Sequence, residues 1–123
     1  MLLKDFYKVL SLEKTDTQKY LAVIEINAAH EVFKGHFPGN PIMPGVCMMQ
    51  IIKELTESVT KFSLVMQTLS NVKFMALINP EVTPRLQLEL DIVTTDDSLV
   101  KVKNTTIFND TTALKLNSVY RIA

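Results

Sequence analysis

Several residue types are scarce in this chain of 123 residues, and each scarcity excludes a class of protein. Cys47 is the single cysteine, which excludes a disulfide framework and a thiolate metal cluster. The 13 basic residues are balanced by 13 acidic ones, so the chain as a whole has no field that would attract nucleic acid or an anionic membrane. No apolar run approaches the roughly 18 residues that a transmembrane helix needs.

The remaining composition is that of an ordinary folded domain. Hydrophobic residues make up 47% of the sequence, and the length suits a single core, so we predict one domain over residues 1–123. The first ten residues, MLLKDFYKVL, carry Lys4, Asp5 and Lys8 between their apolar side chains, and these charges interrupt any signal-peptide core. Together with the lone cysteine, this favours a cytoplasmic location.

Glycine is also scarce, but the three glycines are concentrated in the segment GHFPGNPIMPG, residues 35–45. This segment also holds His36 and three of the five prolines. Residues that precede proline disfavour helical geometry, so the segment is predicted to be an ordered loop. A long helix is predicted from Gly45 to about Lys61, because apolar residues recur every three positions there and Pro44 is tolerated in a first helical turn.

The rest of the chain has mostly the pattern of strands. Spaced apolar residues predict one more short helix, over residues 2–10. Alternating residues and polar turns predict strands over residues 11–14, 19–27, 69–78, 85–93, 99–108 and 112–122. Short turns between the last three favour an antiparallel meander. The predicted fold class is therefore α+β, with an antiparallel sheet curled around one long buried helix.

The loop and the helix start carry groups that could act on a thioester. The N–H groups of Gly45 and Val46 have no partner within a helix that begins at Gly45, and such groups can hold a carbonyl oxygen that becomes negative. An imidazole is the side chain best suited to proton transfer near neutral pH, so His36 could take the proton next to that carbonyl. The alternative is a loop histidine whose ring is bonded to a backbone carbonyl.

The segment GHFPGNPIMPGV resembles, almost letter for letter, the signature of the 3-hydroxyacyl-acyl-carrier-protein dehydratases. The resemblance continues through the central helix and the segment VKFMALINPEVTPRLQLELDI. It implies a hot-dog fold, in which a curved antiparallel sheet wraps the central helix and two subunits share each active site. It also implies a thioester substrate on a phosphopantetheine arm, with no metal and no cofactor of the protein's own.

The resemblance implies a role for several residues of the loop and helix. His36 corresponds to the catalytic histidine, and Gly45 and Val46 to the helix start that holds the thioester carbonyl. The neighbouring residues implied in substrate binding are Phe37, Pro38, Gly39 and Pro44.

Gln50 is the main departure from the family pattern. The family has Glu or Asp at this position, fourteen residues after the histidine, where it reaches the other subunit's histidine and handles the leaving hydroxyl. A glutamine commonly follows one turn later in the family, and here Glu54 stands there, so the two side chains look exchanged. Glu54 is accordingly an alternative acid, unless it only marks where the helix emerges into solvent.

The sequence therefore leaves three functions open. The first is a dehydratase of hydroxyacyl-carrier-protein thioesters in fatty acid or related biosynthesis, impaired by the loss of the acid. The others are a hot-dog thioesterase and a non-catalytic acyl-binding subunit that pairs with an active homologue. Expected partners are an acyl carrier protein or coenzyme A thioester and a second subunit, in a homodimer or higher oligomer. Candidate contacts for an acidic carrier are Lys34, Lys73 and Arg85.

Overall fold

The computed structural model describes residues 4–123 and contains one antiparallel sheet and one long helix. The sheet has six strands in the spatial order β1-β2-β4-β5-β6-β3. The elements along the chain are β1 Tyr7–Lys14, β2 Lys19–Ile26, α1 Val32–Gly35, α2 Gly45–Thr60, β3 Leu64–Phe74, β4 Arg85–Thr94, β5 Leu99–Phe108 and β6 Thr111–Ile122. This architecture confirms the predicted class and the predicted meander of β4, β5 and β6.

The meander strands have one buried and one exposed face. In β4, the side chains of Leu86, Leu88 and Leu90 are buried, and the residues between them are exposed or half-buried. The turn between β5 and β6 is two residues long, and Asn109 and Asp110 both have positive φ angles. Such angles match the right-handed twist of a hairpin, and Asn and Asp tolerate them better than most residues.

Helix α2 supplies the other half of the core. Pro44 precedes the helix in an extended conformation, and Lys61 ends it in the left-handed region, where its N–H donates to the Glu57 carbonyl at 2.8 Å. Residues Met48, Ile51, Ile52 and Leu55 are almost completely buried and pack with the inner face of the sheet. The burial of one helix under one sheet face is the hydrophobic arrangement that the apolar spacing predicted.

The predicted helix over residues 2–10 is wrong in its described part, and Leu2 and Leu3 lie outside the described residues. Residues 4–6 form a turn, and Tyr7 begins strand β1. Phe6 is fully buried against the rings of Phe33 and His30, whereas Leu10 is exposed, so the spaced apolar residues do not share a face. Pairing with β2 along seven residues outweighs the weak helical preference of so short a segment.

Strand β3 also differs from its predicted range. It begins at Leu64 rather than residue 69 and ends at Phe74 rather than residue 78. Residues 75–78 instead form a loop, where the N–H groups of Met75 and Ala76 both donate to the Ala113 carbonyl. Two register irregularities interrupt the pairing of β3 with β6, and most side chains of β3 are exposed. The short helix α1 was not predicted.

Candidate active site

The loop before α2 is held closed by hydrogen bonds of its own backbone. The N–H of Phe37 donates to the Asn40 carbonyl at 3.0 Å, and the N–H of Asn40 donates back to the Phe37 carbonyl at 2.9 Å. The N–H of Ile42 donates to the His36 carbonyl at 2.9 Å, and the N–H of Met43 to the Ile78 carbonyl at 2.8 Å. Gly39 has a φ of 72°, which a residue with a side chain rarely adopts. The loop is therefore a fixed support for His36.

The imidazole of His36 has a defined orientation. Its Nδ1 lies 3.0 Å from the Ile42 carbonyl oxygen, and its ring stacks on that of Phe37 with 4.2 Å between centroids. A carbonyl oxygen can only accept, so Nδ1 carries the hydrogen of the neutral ring and Nε2 keeps its lone pair. The backbone bond that we weighed as an alternative to function is thus present. It is also the contact that leaves Nε2 able to act as a base.

His36 and the start of α2 line one apolar cleft of about 560 Å³. His36 is the single titratable side chain among the lining residues, which are His36, Phe37, Ile42, Met43, Gly45, Met48, Phe74, Met75, Ala76, Leu77, Ile78, Ala113 and Leu114. The structure thus brings His36, Phe37 and Gly45 together. Pro38, Gly39, Pro44 and Val46 are not part of the lining, and Val46 is 72% exposed.

Gln50 and Glu54 lie outside this cleft in the single chain. Five residues of helix separate Gln50 from Gly45, which turns its side chain by about 140° around the helix axis. Both side chains are half-buried, and the Nε2 of Gln50 donates to Oε2 of Glu54 at 2.9 Å. The other carboxylate oxygen accepts a hydrogen bond from the Tyr7 hydroxyl at 2.8 Å. Glu54 is therefore not a residue that simply emerges into solvent.

Sequence reasoning missed Tyr7, because it assigned this residue to a helix. Burial raises the pKa of the Tyr7 phenol, and the hydrogen bond to Glu54 and the nearby charges of Glu54 and Glu57 raise it further. The phenol consequently remains a hydrogen-bond donor at neutral pH. The spacing of two positions between Tyr7 and Val9 was the signal that could have placed Tyr7 on a strand.

The single cysteine is not an activated nucleophile. Cys47 occupies the first turn of α2, where the helix field would favour a thiolate. Its side chain is buried, however, and burial raises the pKa of the thiol.

Within residues 4–123, no three His, Cys, Asp or Glu side chains gather in a way that could hold a metal ion. No helix in the same range is long and apolar enough to cross a membrane.

Comparison with known proteins assigns the chain to a family. The family model described as ApeI dehydratase, ApeI-like, matches residues 12–111. This chain belongs to the ApeI-like dehydratase family. It is also 27% identical over 112 residues to the 3-hydroxyacyl-[acyl-carrier-protein] dehydratase FabZ of Hydrogenobaculum sp. strain Y04AAS1, which covers 84% of this chain and 73% of that protein. The resemblance drawn from the loop signature is thus confirmed, and the protein is an enzyme of the dehydratase type.

Solved structures establish the fold. The dehydratase heterocomplex ApeI:P from Xenorhabdus doucetiae matches with a TM-score of 0.72 at 17% identity, over 93% of this chain and 96% of that one. A hypothetical thioesterase with coenzyme A from Streptococcus pneumoniae TIGR4 matches with a TM-score of 0.64 at 8% identity, over 95% and 85%. The protein has a hot-dog fold, as expected.

Proposed function

We propose that this ApeI-like dehydratase removes water from 3-hydroxyacyl thioesters to form 2-enoyl thioesters, in fatty acid or related acyl-chain biosynthesis. The observation that carries the proposal is the placement of His36. Its Nδ1 is bonded to the Ile42 carbonyl, and the residue lines an apolar cleft that also reaches the start of α2. An acyl chain fits such a lining, and a polar substrate does not.

The first step is removal of the proton on the carbon next to the thioester carbonyl. His36 accepts this proton on Nε2, and the electron pair moves towards the carbonyl oxygen, which becomes an enolate. The N–H groups of Gly45 and Val46 point along the helix axis at its positive end and stabilise that oxygen. Gly45 has no side chain of its own at this place, and the ring of the exposed Phe74 lies where a Cβ would be.

In the second step, the enolate expels the hydroxyl group from the next carbon. Hydroxide leaves poorly unless it is protonated, and a glutamine amide does not supply a proton near neutral pH. The imidazolium of His36 holds the proton from the first step and returns it to the departing oxygen, so water and the enoyl thioester are the products. Gln50 binds the hydroxyl group and holds it beside the imidazolium.

Two subunits are needed for this arrangement. Gln50 faces away from the cleft of its own chain, so we assign it to the site of a second subunit. Strand β3 is at the edge of the sheet and exposes Val65, Met66 and Val72. An apolar edge of this kind is usually covered in a stable protein. A second copy of the chain, or a homologous subunit, would cover it.

The substrate's arm and carrier are the remaining parts of the proposal. The thioester is attached to the phosphopantetheine of an acyl carrier protein or of coenzyme A, so the protein itself needs no cofactor. Lys34 and Lys73 are exposed and available to an acidic carrier. Arg85 is a weaker candidate, because its Nε lies 3.4 Å from Oε2 of Glu25.

Hydration of a 2-enoyl pantetheine thioester by the purified protein tests the proposal in the reverse direction. We expect consumption of the enoyl thioester without release of free thiol, and we expect His36→Ala to abolish it while the protein still unfolds cooperatively. His30→Gln is the matched control, because His30 bonds to backbone groups of Lys4 and Val32 away from the cleft.

Other results of the same assay contradict the proposal. Release of free thiol would identify a thioesterase. Binding of the thioester without any turnover would identify a non-catalytic acyl-binding subunit, which could then be mixed with an active homologue. Undiminished hydration by the His36→Ala protein would remove His36 from the mechanism.

A further inference from the structure

Glu54 joins strand β1 to helix α2 through a bridge of three side chains. Oε1 of Glu54 accepts from the Tyr7 hydroxyl at 2.8 Å, and Oε2 accepts from Nε2 of Gln50 at 2.9 Å. Each carboxylate oxygen therefore has its own donor. The family assignment does not account for Tyr7.

The direction of both hydrogen bonds follows from the chemistry of the groups. An ionised carboxylate only accepts, so the amide of Gln50 must present its nitrogen to Glu54. The carbonyl oxygen of the same amide is then directed away from Glu54. Burial raises the pKa of the Tyr7 phenol, so the phenol donates and does not compete for a proton. The bridge thus sets one of two possible orientations of the Gln50 amide.

This orientation matters for the group that Gln50 is to bind. A free glutamine side chain has several rotamers and can turn its amide over, so it would offer a donor or an acceptor at random. With its nitrogen bonded to Glu54, Gln50 offers its carbonyl oxygen. That oxygen accepts the O–H of a hydroxyl group, which leaves the lone pairs of the hydroxyl oxygen free for a proton from elsewhere.

We propose that Tyr7, acting through Glu54, is a positioning residue that turns the Gln50 amide so that its carbonyl oxygen binds the substrate's 3-hydroxyl group. The inference rests on the proposed function. It assigns Glu54 as a fixed carboxylate that orients Gln50 and not as the acid of the reaction, because both of its oxygens already accept hydrogen bonds from Tyr7 and Gln50. Tyr7 and Glu54 touch no reacting atom.

The test is the kinetics of Tyr7→Phe, which removes one hydroxyl and keeps the ring. We expect kcat for hydration of the enoyl pantetheine thioester to fall about tenfold, the size expected for a lost hydrogen bond to a charged group, with KM within about twofold. Tyr20→Phe is the matched control, because Tyr20 is half-buried on the neighbouring strand β2, and it should keep the wild-type kcat.

Measuring Tyr7→Phe in a second variant, Gln50→Ala, distinguishes two roles of Tyr7. The residue either orients the Gln50 amide or only holds β1 against α2. In Gln50→Ala there is no amide to orient, so adding Tyr7→Phe should cause no further fall in kcat. If Tyr7 only holds β1 against α2, Tyr7→Phe should lower kcat by the same factor in the Gln50→Ala variant, and the midpoint of thermal unfolding should fall as well. An unchanged kcat in Tyr7→Phe, or a full loss in the Gln50→Ala background, would overturn the inference.

Glu54→Gln tests the same bridge from its centre, even if Tyr7→Phe fails to fold. We expect a fall in kcat similar to that of Tyr7→Phe, again without additivity in the Gln50→Ala background. Complete loss of turnover would make Glu54 the acid and overturn the inference.

The His36→Ala variant distinguishes failure of this inference from failure of the proposed function. If His36→Ala is inactive while Tyr7→Phe and Glu54→Gln keep the wild-type kcat, the inference fails and the proposed function stands. Turnover by His36→Ala refutes the proposed function itself.

Discussion

The ring of Phe74 lies directly against Gly45 at the start of α2. A Cβ atom placed on Gly45 would be 2.8 Å from Cζ of Phe74, closer than Cβ atoms approach, and 3.3 Å from Cε1, a tight contact. Phe74 is the last residue of β3 and is 56% exposed, and both residues line the cleft. The lack of a side chain at position 45 therefore decides how the strand end and the helix start meet.

We predict that Gly45→Ala lowers turnover much more than stability. The added methyl group must displace the Phe74 ring, which is the movable end of an exposed side chain, so folding should cost at most about 1 kcal/mol. The displaced ring and the new methyl group, however, occupy the place where the thioester carbonyl would bind. Steady-state hydration of the enoyl thioester should fall at least tenfold, and the midpoint of thermal unfolding should change by only a few degrees.

Phe74→Ala provides the control for this prediction. If the ring transmits the effect, Gly45→Ala should cost little more once Phe74 is already alanine, since the colliding atoms are gone. Equal losses in both backgrounds would show instead that the methyl group itself obstructs the carbonyl site.

Cys47 should react slowly with thiol reagents in the folded protein. The helix start favours a thiolate, but burial opposes it and raises the pKa of the thiol. Less thiolate is then present at pH 7 than in an exposed cysteine, and the labelling rate should rise only at higher pH. A disulfide reagent should modify the native protein at least tenfold more slowly than the urea-unfolded protein. Rapid labelling of the native protein at pH 7 would contradict this prediction, because it would mean that the helix start lowers the pKa of the thiol more than burial raises it.

Sequence patterns located most of the architecture, because burial on one side of a strand or helix leaves a periodic signal. The alternation from Leu86 to Ile92 describes one buried face of β4. In α2 the apolar spacing indicates burial correctly at Ile52 and Leu55, whereas Val46 at its start is exposed. The loop around His36 was located by its prolines and glycines. These features depend on residues close together in the chain.

The errors concern contacts between residues far apart. Leu10 looked like part of a helical face, but its neighbours Val9 and Ser11 pair with β2, and the segment is a strand. The bridge from Tyr7 to Glu54 spans 47 positions, and neither residue indicates the other in the sequence. The end of β3 at Phe74 likewise depends on Ala113, whose carbonyl binds the next two N–H groups. No local pattern records such pairs.

Association through the edge of β3 is a further prediction. The proposed site needs Gln50 from a second subunit, and β3 offers exposed apolar side chains on an unpaired edge. Sedimentation of the wild-type protein at micromolar concentration should give a dimer or larger assembly. The double change Val65→Lys and Met66→Lys should shift it to monomer and abolish turnover, because charges would be buried at the contact.

The opposite edge of the sheet supplies the matched control. Val9 and Leu10 are 47% and 41% exposed on β1, and the double change Val9→Lys and Leu10→Lys adds the same two charges at an edge that the proposed association does not use. This variant should remain associated and active. A wild-type protein that is both monomeric and active would exclude the shared site.

Gln50→Glu should increase the rate, because it places a carboxylic acid where the amide now binds the hydroxyl group. The new carboxyl group would lie within hydrogen-bond distance of Glu54, given the 2.9 Å contact that Gln50 makes. Two carboxylates so close cannot both ionise readily, so the pair retains one proton to a higher pH than either group alone. Tyr7 already donates to Oε1 of Glu54, whereas Tyr7 has no such contact with position 50, so we expect the shared proton at position 50.

In the wild-type site the leaving hydroxyl group depends on the His36 imidazolium for its proton, whereas a carboxyl group at position 50 would supply one directly. A general acid is worth about 10²–10⁴-fold in rate, so the variant should exceed the wild-type kcat at least tenfold near neutral pH. The gain should persist at lower pH as long as His36 remains able to accept a proton, and it should disappear as rising pH ionises both carboxylates. Steady-state hydration measured across pH, with Gln50→Leu as the control of similar size, checks this. If Gln50→Glu binds the thioester normally but gains no rate, the hydroxyl group does not lie at position 50, and acyl binding without efficient catalysis becomes the better account.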